Sequence, residues 1–131
     1  MTDVEAGRVA LAVHDVHASV RFYVEGLGFH VEQLFEDPPY ATLSVGPLRL
    51  SLTQSGSMVP DVEGMRLEAG ADERSSAAMV VLEVADARAV FRQLADRGVR
   101  TRSDPWEPPW GGCRFFLSDP DGYLVEVEQV A

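Results

Sequence analysis

The sequence predicts an α+β fold of two tandem βαβββ modules, whose strands form a curved mixed sheet with a concave cleft. An internal repeat supports this prediction: VALAVHDVHA, from Val9 to Ala18, recurs as VVLEVADARA, from Val80 to Ala89. The ends of the two halves match as well, because LRLSLTQ (Leu48 to Gln54) aligns with YLVEVEQ (Tyr123 to Gln129). In both halves strand-like alternation precedes helical spacing, and repeated units of this kind build pseudo-symmetric folds.

The module boundaries follow from the repeat. A chain of 131 residues fits a single domain, residues 1–131. We place module 1 at about 7–54 and module 2 at about 78–130. The segment between them, about 55–77, is rich in Gly, Ser and acidic residues and has no clear period. We expect a linker there, with a short helical piece.

The first module begins with a strand from Arg8 to Val13, where apolar residues alternate along one face. Asp15 suits the N-cap of the following helix, and Gly28 suits its C-terminal stop. A hairpin is predicted around Gly46-Pro47, between strands at 43–45 and 48–53. Helical spacing is set by four apolar residues: Val16, Val20, Val24 and Leu27.

The second module repeats this plan. A strand runs from Met79 to Val84, Asp86 suits an N-cap, and Gly98 ends the helix. The DPDG sequence indicates a tight turn. The remaining elements, in order, are a strand at 114–118, the turn at 119–122 and a closing strand at 124–129. Each module is therefore predicted as β-α-β-β-β.

Composition and charge exclude several classes of partner. The chain is 46% hydrophobic and 24% charged, which is typical of a folded globular protein. Its formal net charge of −10 argues against nucleic acid and anionic membrane surfaces, since both require a basic footprint. The same charge favours a cationic small molecule, although acidity also serves solubility alone. No apolar stretch approaches the ~20 residues that span a bilayer.

The cysteine content and the N-terminal residues indicate a compartment. Cys113 is the single cysteine, so no intrachain disulfide can form. The first residues have neither a basic start nor an apolar stretch, so we expect no signal peptide. A cytoplasmic location follows as a prediction.

Two long segments resemble a known family. LAVHDVHASVRFYVEGLGF, from Leu11 to Phe29, and WGGCRFFLSDPDGYLVEVEQ, from Trp110 to Gln129, resemble the vicinal oxygen chelate superfamily. That group includes glyoxalase I, extradiol dioxygenases, fosfomycin-resistance thiol transferases and bleomycin-resistance proteins. The resemblance implies a glyoxalase/bleomycin-resistance-like fold and a homodimer, because members of this size usually complete their clefts by pairing chains.

The resemblance also implies four positions where metal-dependent members hold ligands. In this chain they fall on Arg8 and Met79 in the first strands, and on Ser51 and Glu126 in the last strands. Glu126 alone is an ordinary ligand, because an arginine repels a metal and a thioether suits only soft ions. We therefore predict neither a metal nor another cofactor. The three histidines are expected at the surface: His14, His17 and His30.

Strand alternation assigns further residues to the inward face of the predicted cleft. The carboxylates there must meet water, an arginine or a ligand, because a buried unpaired charge is costly. Arg–Glu pairs would neutralise the cleft, with Arg8 and Glu126 as the expected pair, or carboxylates would stay available to a cationic ligand. The candidate ligand-binding residues on this face are Arg8, Arg49, Ser51, Met79, Glu83, Phe116, Glu126 and Glu128.

Aromatic residues flank the same cleft. Trp106 and Trp110 lie in a proline-rich loop of the second module, and Phe35 and Tyr40 lie in the corresponding region of the first. Such side chains stack on planar ligands and attract cations. The alternative is that both tryptophans only pack against a neighbouring half or subunit.

Three functional hypotheses remain. The first is a metal-free protein, similar to the bleomycin-resistance branch, that sequesters a planar, cationic natural product or antibiotic. The second is an enzyme, either a lyase, isomerase, thiol transferase or dioxygenase with shifted metal ligands, or one that uses Glu126 as a general base. The third is a degenerate member that acts only as a partner subunit.

Overall fold

A computed structural model describes residues 3–70, 72 and 74–131. The chain divides into two compact units, Met1–Ala69 and Gly70–Ala131. The α+β class and the glyoxalase-like fold predicted from the sequence are confirmed. The division into modules within one domain stays a prediction.

Unit 1 contains a four-stranded mixed sheet in the order β1-β4-β3-β2. Strands β1 and β4 are parallel neighbours, whereas β4, β3 and β2 pair antiparallel through tight connections. A register shift between Val31 and Gln33 marks a bulge in β2. The strands are β1 (Val9–Val13), β2 (His30–Glu36), β3 (Pro39–Val45) and β4 (Leu48–Gln54).

The helix of unit 1 begins as the sequence predicts. Helix α1 (Val16–Arg21) is capped by Asp15, whose side chain accepts a hydrogen bond from the Ala18 N–H at 3.1 Å. It continues as a π-helical segment (Phe22–Gly26), and Gly28 follows with a φ of 79°. A positive φ favours glycine, which explains the stop at this position.

The predicted linker differs from expectation. Its first part belongs to unit 1 and forms a small antiparallel hairpin of β5 (Ser57–Met58) and β6 (Arg66–Leu67). No helical piece occurs among its described residues, so that expectation is wrong. Residues 71 and 73 lie outside the described part of the chain.

Unit 2 repeats the plan with one strand fewer than predicted. Its described residues form a three-stranded sheet in the order β7-β9-β8, with β7 and β9 parallel. In place of a fourth strand there is an isolated bridge between Trp106 and Arg114, because the proline-rich loop has too few N–H donors to extend a ladder. The elements are β7 (Met79–Glu83), α2 (Ala87–Asp96), β8 (Cys113–Ser118) and β9 (Leu124–Gln129).

Each sheet buries one face against its helix. Helix α1 contacts β3 and β4, and α2 contacts β8 and β9. Phe91 of α2 packs edge-on against Phe115, with ring centroids 5.2 Å apart. The fully or nearly fully buried side chains include Val13, Tyr23, Phe29, Leu43, Leu50 and Leu52 in unit 1, and Leu94, Phe115, Leu117, Val125 and Val127 in unit 2.

The two parallel strand pairs share one register. Val9 lies opposite Leu50 in unit 1, and Val80 lies opposite Val125 in unit 2. These are the residues that the sequence repeat aligns, so Ser51 and Glu126 occupy equivalent positions. Among the helices of the described chain, none is long and apolar enough to cross a membrane.

Candidate functional site

The candidate site residues lie on the sheet face opposite each helix, which we call the polar face. Side chains alternate along a strand, so the apolar residues that pack under the helix leave every second residue on this face. The polar face of unit 1 includes Ala10, Ala12, Tyr40, Thr42, Arg49, Ser51 and Thr53. The polar face of unit 2 includes Met79, Val81, Glu83, Arg114, Phe116, Leu124, Glu126 and Glu128.

A hydrogen-bonded cluster of Arg8, Tyr40 and Ser51 lies on the polar face of unit 1. The Arg8 Nε donates to Ser51 Oγ at 2.6 Å, and its Nη2 donates to Tyr40 Oη at 3.4 Å. The Tyr40 hydroxyl donates to Ser51 Oγ at 3.0 Å. Ser51 is 1% exposed, whereas Arg8 is exposed. The guanidinium therefore lies over two hydroxyl groups held by adjacent strands.

This cluster changes the acidity of Tyr40. The hydrogen bond with Ser51 lowers the pKa of Tyr40 below its usual value of 10.0, and the hydrogen bond and charge of Arg8 act in the same direction. Burial of the phenol opposes them, because it disfavours the charged form. The arrangement stabilises the phenolate.

Two further predicted residues lie beside this cluster. Phe35 lies opposite Tyr40 across β2 and β3, with ring centroids 6.1 Å apart, and is 51% exposed. Arg49 donates from its Nε to Oε1 of Glu32 at 3.0 Å. Glu32 was absent from the sequence-based set because no strand bounds were predicted over residues 30–36, where the structure has β2 with a bulge.

An aromatic group surrounds Arg114 in unit 2. Its guanidinium carbon lies 5.2 Å from the ring centroid of Trp106, 5.5 Å from that of Trp110 and 5.2 Å from that of Phe116. The two indoles meet edge-on at 5.7 Å and are 48% and 69% exposed. Because the bridge pairs Trp106 with Arg114, both side chains lie on the polar face.

Glu126 is the buried carboxylate of this face. It is 6% exposed, and its Oε2 lies 3.6 Å from Nη1 of Arg114. The Arg114 Nε is buried and has no hydrogen-bond partner among the described residues. Alternation places Arg114 on the inward face with Phe116 and Glu126, as a possible partner of the carboxylates there, although Arg114 was not among the candidate ligand-binding residues.

Glu83 and Glu128 form an acidic pair on the same face. They are direct neighbours in the parallel register of β7 and β9. Neither has an ion-pair partner in the part of the chain that the structure describes. The two like charges repel each other, and Arg114, which lies opposite Glu128 on β8, offsets part of this repulsion. A cation beside Glu83 would relieve the rest.

The loop that holds the tryptophans is fixed where it joins β8. Gly112 has a φ of 80°, and a Cβ added there would lie 2.4 Å from the carbonyl oxygen of Gln129. Gly111 has a φ of 100°, and an added Cβ would lie 2.8 Å from Ala131 Cβ. Glycine is required at this step because the loop backbone lies directly against the end of β9.

A cavity of about 360 Å³ opens beside Phe116 in unit 2. Its volume lies in the usual range for small-molecule sites, roughly 300–1,000 Å³. Arg102 and Ser103 approach from the loop after α2, where the Arg102 N–H and the Ser103 N–H donate to the Phe116 carbonyl. The lining residues are Arg74, Ser75, Ser76, Arg102, Ser103, Phe116, Gly122 and Leu124.

The residues at the four positions implied by the resemblance do not fit a metal centre. Arg8 and Ser51 hydrogen-bond to each other, Met79 is 46% exposed, and Glu126 is paired with Arg114. Over residues 3–70, 72 and 74–131, no group of three or more His, Cys, Asp or Glu side chains is placed to hold a metal ion. A hydrogen-bonded guanidinium repels a cation, so we derive no chemistry through a metal here.

The predicted pairing of Arg8 with Glu126 stays a prediction, since each has partners within its own unit. Among the histidines, His17 Nε2 lies 3.0 Å from Glu36 Oε2, and His14 and His30 are exposed. The single cysteine, Cys113, is buried.

Comparison with known proteins identifies the family. The model of the Glyoxalase/Bleomycin resistance protein/Dioxygenase superfamily matches residues 6–127. The chain therefore belongs to this superfamily, which confirms the resemblance noted in the sequence. The superfamily name itself covers both enzymes and resistance proteins.

Solved structures share the fold at low sequence identity. A glyoxalase/bleomycin resistance protein/dioxygenase from Nocardioides is 24% identical, with a TM-score of 0.75 over 99% of this chain and 86% of that one. TnmS3, an antibiotic-binding protein from Streptomyces sp. CB03234, is 20% identical, with a TM-score of 0.72 over 100% of both chains. A glyoxalase-related enzyme from Fulvimarina pelagi is 23% identical, with a TM-score of 0.70 over 96% of this chain and 88% of that one.

Proposed function

We propose that the protein is a metal-free small-molecule binding protein that sequesters a planar, cationic natural product or antibiotic. The observation that supports this most is the group of Trp106, Trp110 and Phe116 around Arg114 on the polar face of unit 2. Exposed indoles are costly to leave in water and stack on planar ligands. The relative TnmS3 is described as an antibiotic-binding protein, which is in line with this proposal.

The acidic pair supports a positively charged ligand. Glu83 and Glu128 lie next to each other, and on the strands that the structure describes three carboxylates share this face with one arginine, Arg114. A cation near them gains Coulomb energy that an exposed site screens only partly. A cavity of suitable volume adjoins Phe116. Arg74 and Arg102 are among the residues that line this cavity, so the cationic part of the ligand belongs outside it, near Glu83 and Glu128.

A planar cation such as proflavine tests this proposal. Equilibrium dialysis should show saturable binding, weakened by Trp110→Ala or Trp106→Ala by roughly 1–3 kcal/mol, the range of an aromatic anchor. Glu128→Gln should weaken binding less, and added salt should weaken binding to the wild type.

Met58→Ala serves as the control, because it removes a 56% exposed apolar side chain from the β5–β6 hairpin. Anthraquinone-2-sulfonate, a planar anion, should bind less tightly than proflavine. Binding that is indifferent to both tryptophan substitutions would contradict the sequestration proposal.

An enzymatic function is the second candidate, and Glu126 is the residue that supports it. A carboxylate that is 6% exposed on a ligand-accessible face suits a general base. The Arg114 guanidinium, 3.6 Å away, weighs against this role because it competes for the oxygen that would take a proton. Turnover that Glu126→Gln abolishes and Glu128→Gln retains would favour the enzyme.

We also propose a homodimer. Strand β2 is exposed along its whole length, and Val31, Leu34 and Phe35 are 45%, 41% and 51% exposed. An edge strand with exposed apolar side chains tends to be covered by a partner. Light scattering at micromolar concentration should give the mass of two chains, and a monomeric mass would count against the proposal.

A further inference from the structure

We propose that Arg8, Tyr40 and Ser51 form a binding site for the carboxylate group of an organic anion with an apolar body. This site lies wholly in unit 1 and is independent of the ligand proposed for unit 2. None of the three residues belongs to the aromatic group of unit 2. The positions of Arg8 and Ser51 correspond, through the repeat, to those of Met79 and Glu126, so unit 2 has no copy of this cluster.

A count of hydrogens shows that the cluster has one donor too many. Arg8 fills one acceptor position on Ser51 Oγ and one on Tyr40 Oη. The two hydroxyl groups lie 3.0 Å apart and can donate only one hydrogen between them. One hydroxyl donates to the other, and the hydrogen of the hydroxyl that accepts is left with no acceptor among the described residues. A donor left without a partner in this way calls for an acceptor from outside the cluster.

Arg8 offers a second donor edge. Its Nε and one hydrogen of Nη2 are engaged, whereas Nη1 has no hydrogen-bond partner in the described ranges. Arg8 is exposed, so this edge can be reached by a solute. A guanidinium edge beside a hydroxyl donor matches the two oxygens of a carboxylate.

The charges around the cluster favour an anion. Arg8 and Arg49 place two cations on the polar face of unit 1, against one carboxylate from Glu32, which is bound to Arg49. The other acidic groups near Tyr40 lie in or before its hairpin turn: Glu36, which is bound to His17, and Asp37. This face therefore has an excess of positive charge in a chain whose formal net charge is −10.

An apolar neighbour selects the rest of the ligand. The Phe35 ring lies 6.1 Å from the Tyr40 ring and is 51% exposed. A ligand whose carboxylate reaches Arg8 can pack an apolar or aromatic body against this ring. The lowered pKa of Tyr40 is in line with the surplus hydrogen, since loss of that proton is the other way to balance the cluster.

Benzoate, with benzamide as its neutral counterpart, tests the site by equilibrium dialysis or NMR titration of the full chain. Benzoate should bind saturably and more tightly than benzamide. Arg8→Gln should weaken benzoate binding by at least about tenfold, the scale of a hydrogen bond to a charged group. Phe35→Ala should weaken it less. Arg21→Gln is the matched control, because it removes one exposed positive charge at the end of α1 without touching the cluster.

A second measurement follows the wild-type chain with and without benzoate, and needs a variant only to assign the signal of Tyr40. Alkaline titration of the phenolate absorbance should show a component that is lost in Tyr40→Phe. Saturating benzoate should raise the pKa of that component, because a bound anion disfavours the phenolate.

Three results would overturn the proposal. They are equal affinity for benzoate and benzamide, equal affinity of the wild type and Arg8→Gln for benzoate, and a Tyr40 titration unchanged by benzoate. Benzoate binding that Trp110→Ala abolishes and Arg8→Gln retains would place the anion in unit 2, which also contradicts it. Loss of proflavine binding in the tryptophan variants reports separately on the proposed function.

Discussion

The polar faces of the two units share a backbone register but differ in chemistry. In unit 1 an arginine before the first strand binds two hydroxyl groups, and the charge balance of the face is positive. In unit 2 the arginine comes from β8, lies among three aromatic rings and meets a buried glutamate, and the balance is negative. The difference shows that a repeated backbone fixes where side chains point and leaves their chemistry free to diverge.

The equivalent positions Ser51 and Glu126 give the sharpest test of this comparison. Glu126→Ala leaves Arg114 without its carboxylate and should lower the free energy of unfolding by about 2 kcal/mol. This loss of unfolding free energy is smaller than the loss expected for a fully buried ion pair, because the Arg114 side chain is 31% exposed. Ser51→Ala should cost about 1 kcal/mol, because Arg8 can turn to water.

Urea unfolding measures both effects, with Glu128→Ala as the control for loss of an unpaired carboxylate. Equal losses for the Ser51 and Glu126 variants would show that the two faces contribute alike to stability.

The helix caps provide a comparison in which the two units should behave alike. Asp15 accepts from the Ala18 N–H at 3.1 Å, and Asp86 accepts from the Ala89 N–H at 3.0 Å. Each Asp→Ala change should lower the free energy of unfolding by about 1 kcal/mol. Thermal or urea unfolding should show the same loss for both variants. A much larger loss at Asp15 would show that the short α1 and its π-helical extension depend more on the cap than α2 does.

The smallest expected effect is a pH dependence of stability that arises from Tyr40 in unit 1. The pKa of Tyr40 is lowered in the folded chain by Ser51 and Arg8, so the unfolded chain binds more protons between that value and about 10. Ionisation of Tyr40 therefore adds stability as pH rises through the pKa of the folded state, and this contribution is complete above the pKa of the unfolded state. The contribution is lost as pH falls through the pKa of the folded state.

Urea midpoints of the wild type and Tyr40→Phe, compared from neutral to alkaline pH, check this. The urea midpoint of the wild type should increase relative to that of Tyr40→Phe as pH rises. The difference in midpoint between the wild type and Arg21→Gln should stay constant. A difference in midpoint between the wild type and Tyr40→Phe that does not change with pH would contradict the expected coupling between Tyr40 ionisation and stability.

The sequence was enough for those features that depend on local patterns and on the repeat. Asp15 and Asp86 were predicted as caps from residue type and position, and both are confirmed. The strand at 124–129 has the predicted bounds, and the turn before it closes with the Asp121 and Tyr123 N–H groups on Asp119 Oδ1. The repeat also placed Ser51 and Glu126 at equivalent positions, which the register shows.

Features that depend on pairing across the sheet could not be predicted in the same way. Tyr40 meets Ser51 only because β3 lies beside β4 in a specific register, and no local pattern near Tyr40 reveals that register. Glu32 reaches Arg49 from the bulged part of β2, a strand whose bounds were not predicted from the sequence. The described residues of unit 2 form three strands and not the predicted four, because prolines in the loop before β8 prevent the ladder that the repeat predicts.

The glycine step before β8 has a consequence for the speed and selectivity of recognition. With Gly112 held against the Gln129 carbonyl, the loop end next to Trp110 has already lost its conformational entropy during folding. A planar ligand bound as proposed would meet a preorganised surface, and its association would not have to order that part of the chain. Exchange of Trp110 for another side chain would therefore change which ligand is accepted without moving the loop, so this position is a natural place to retune specificity.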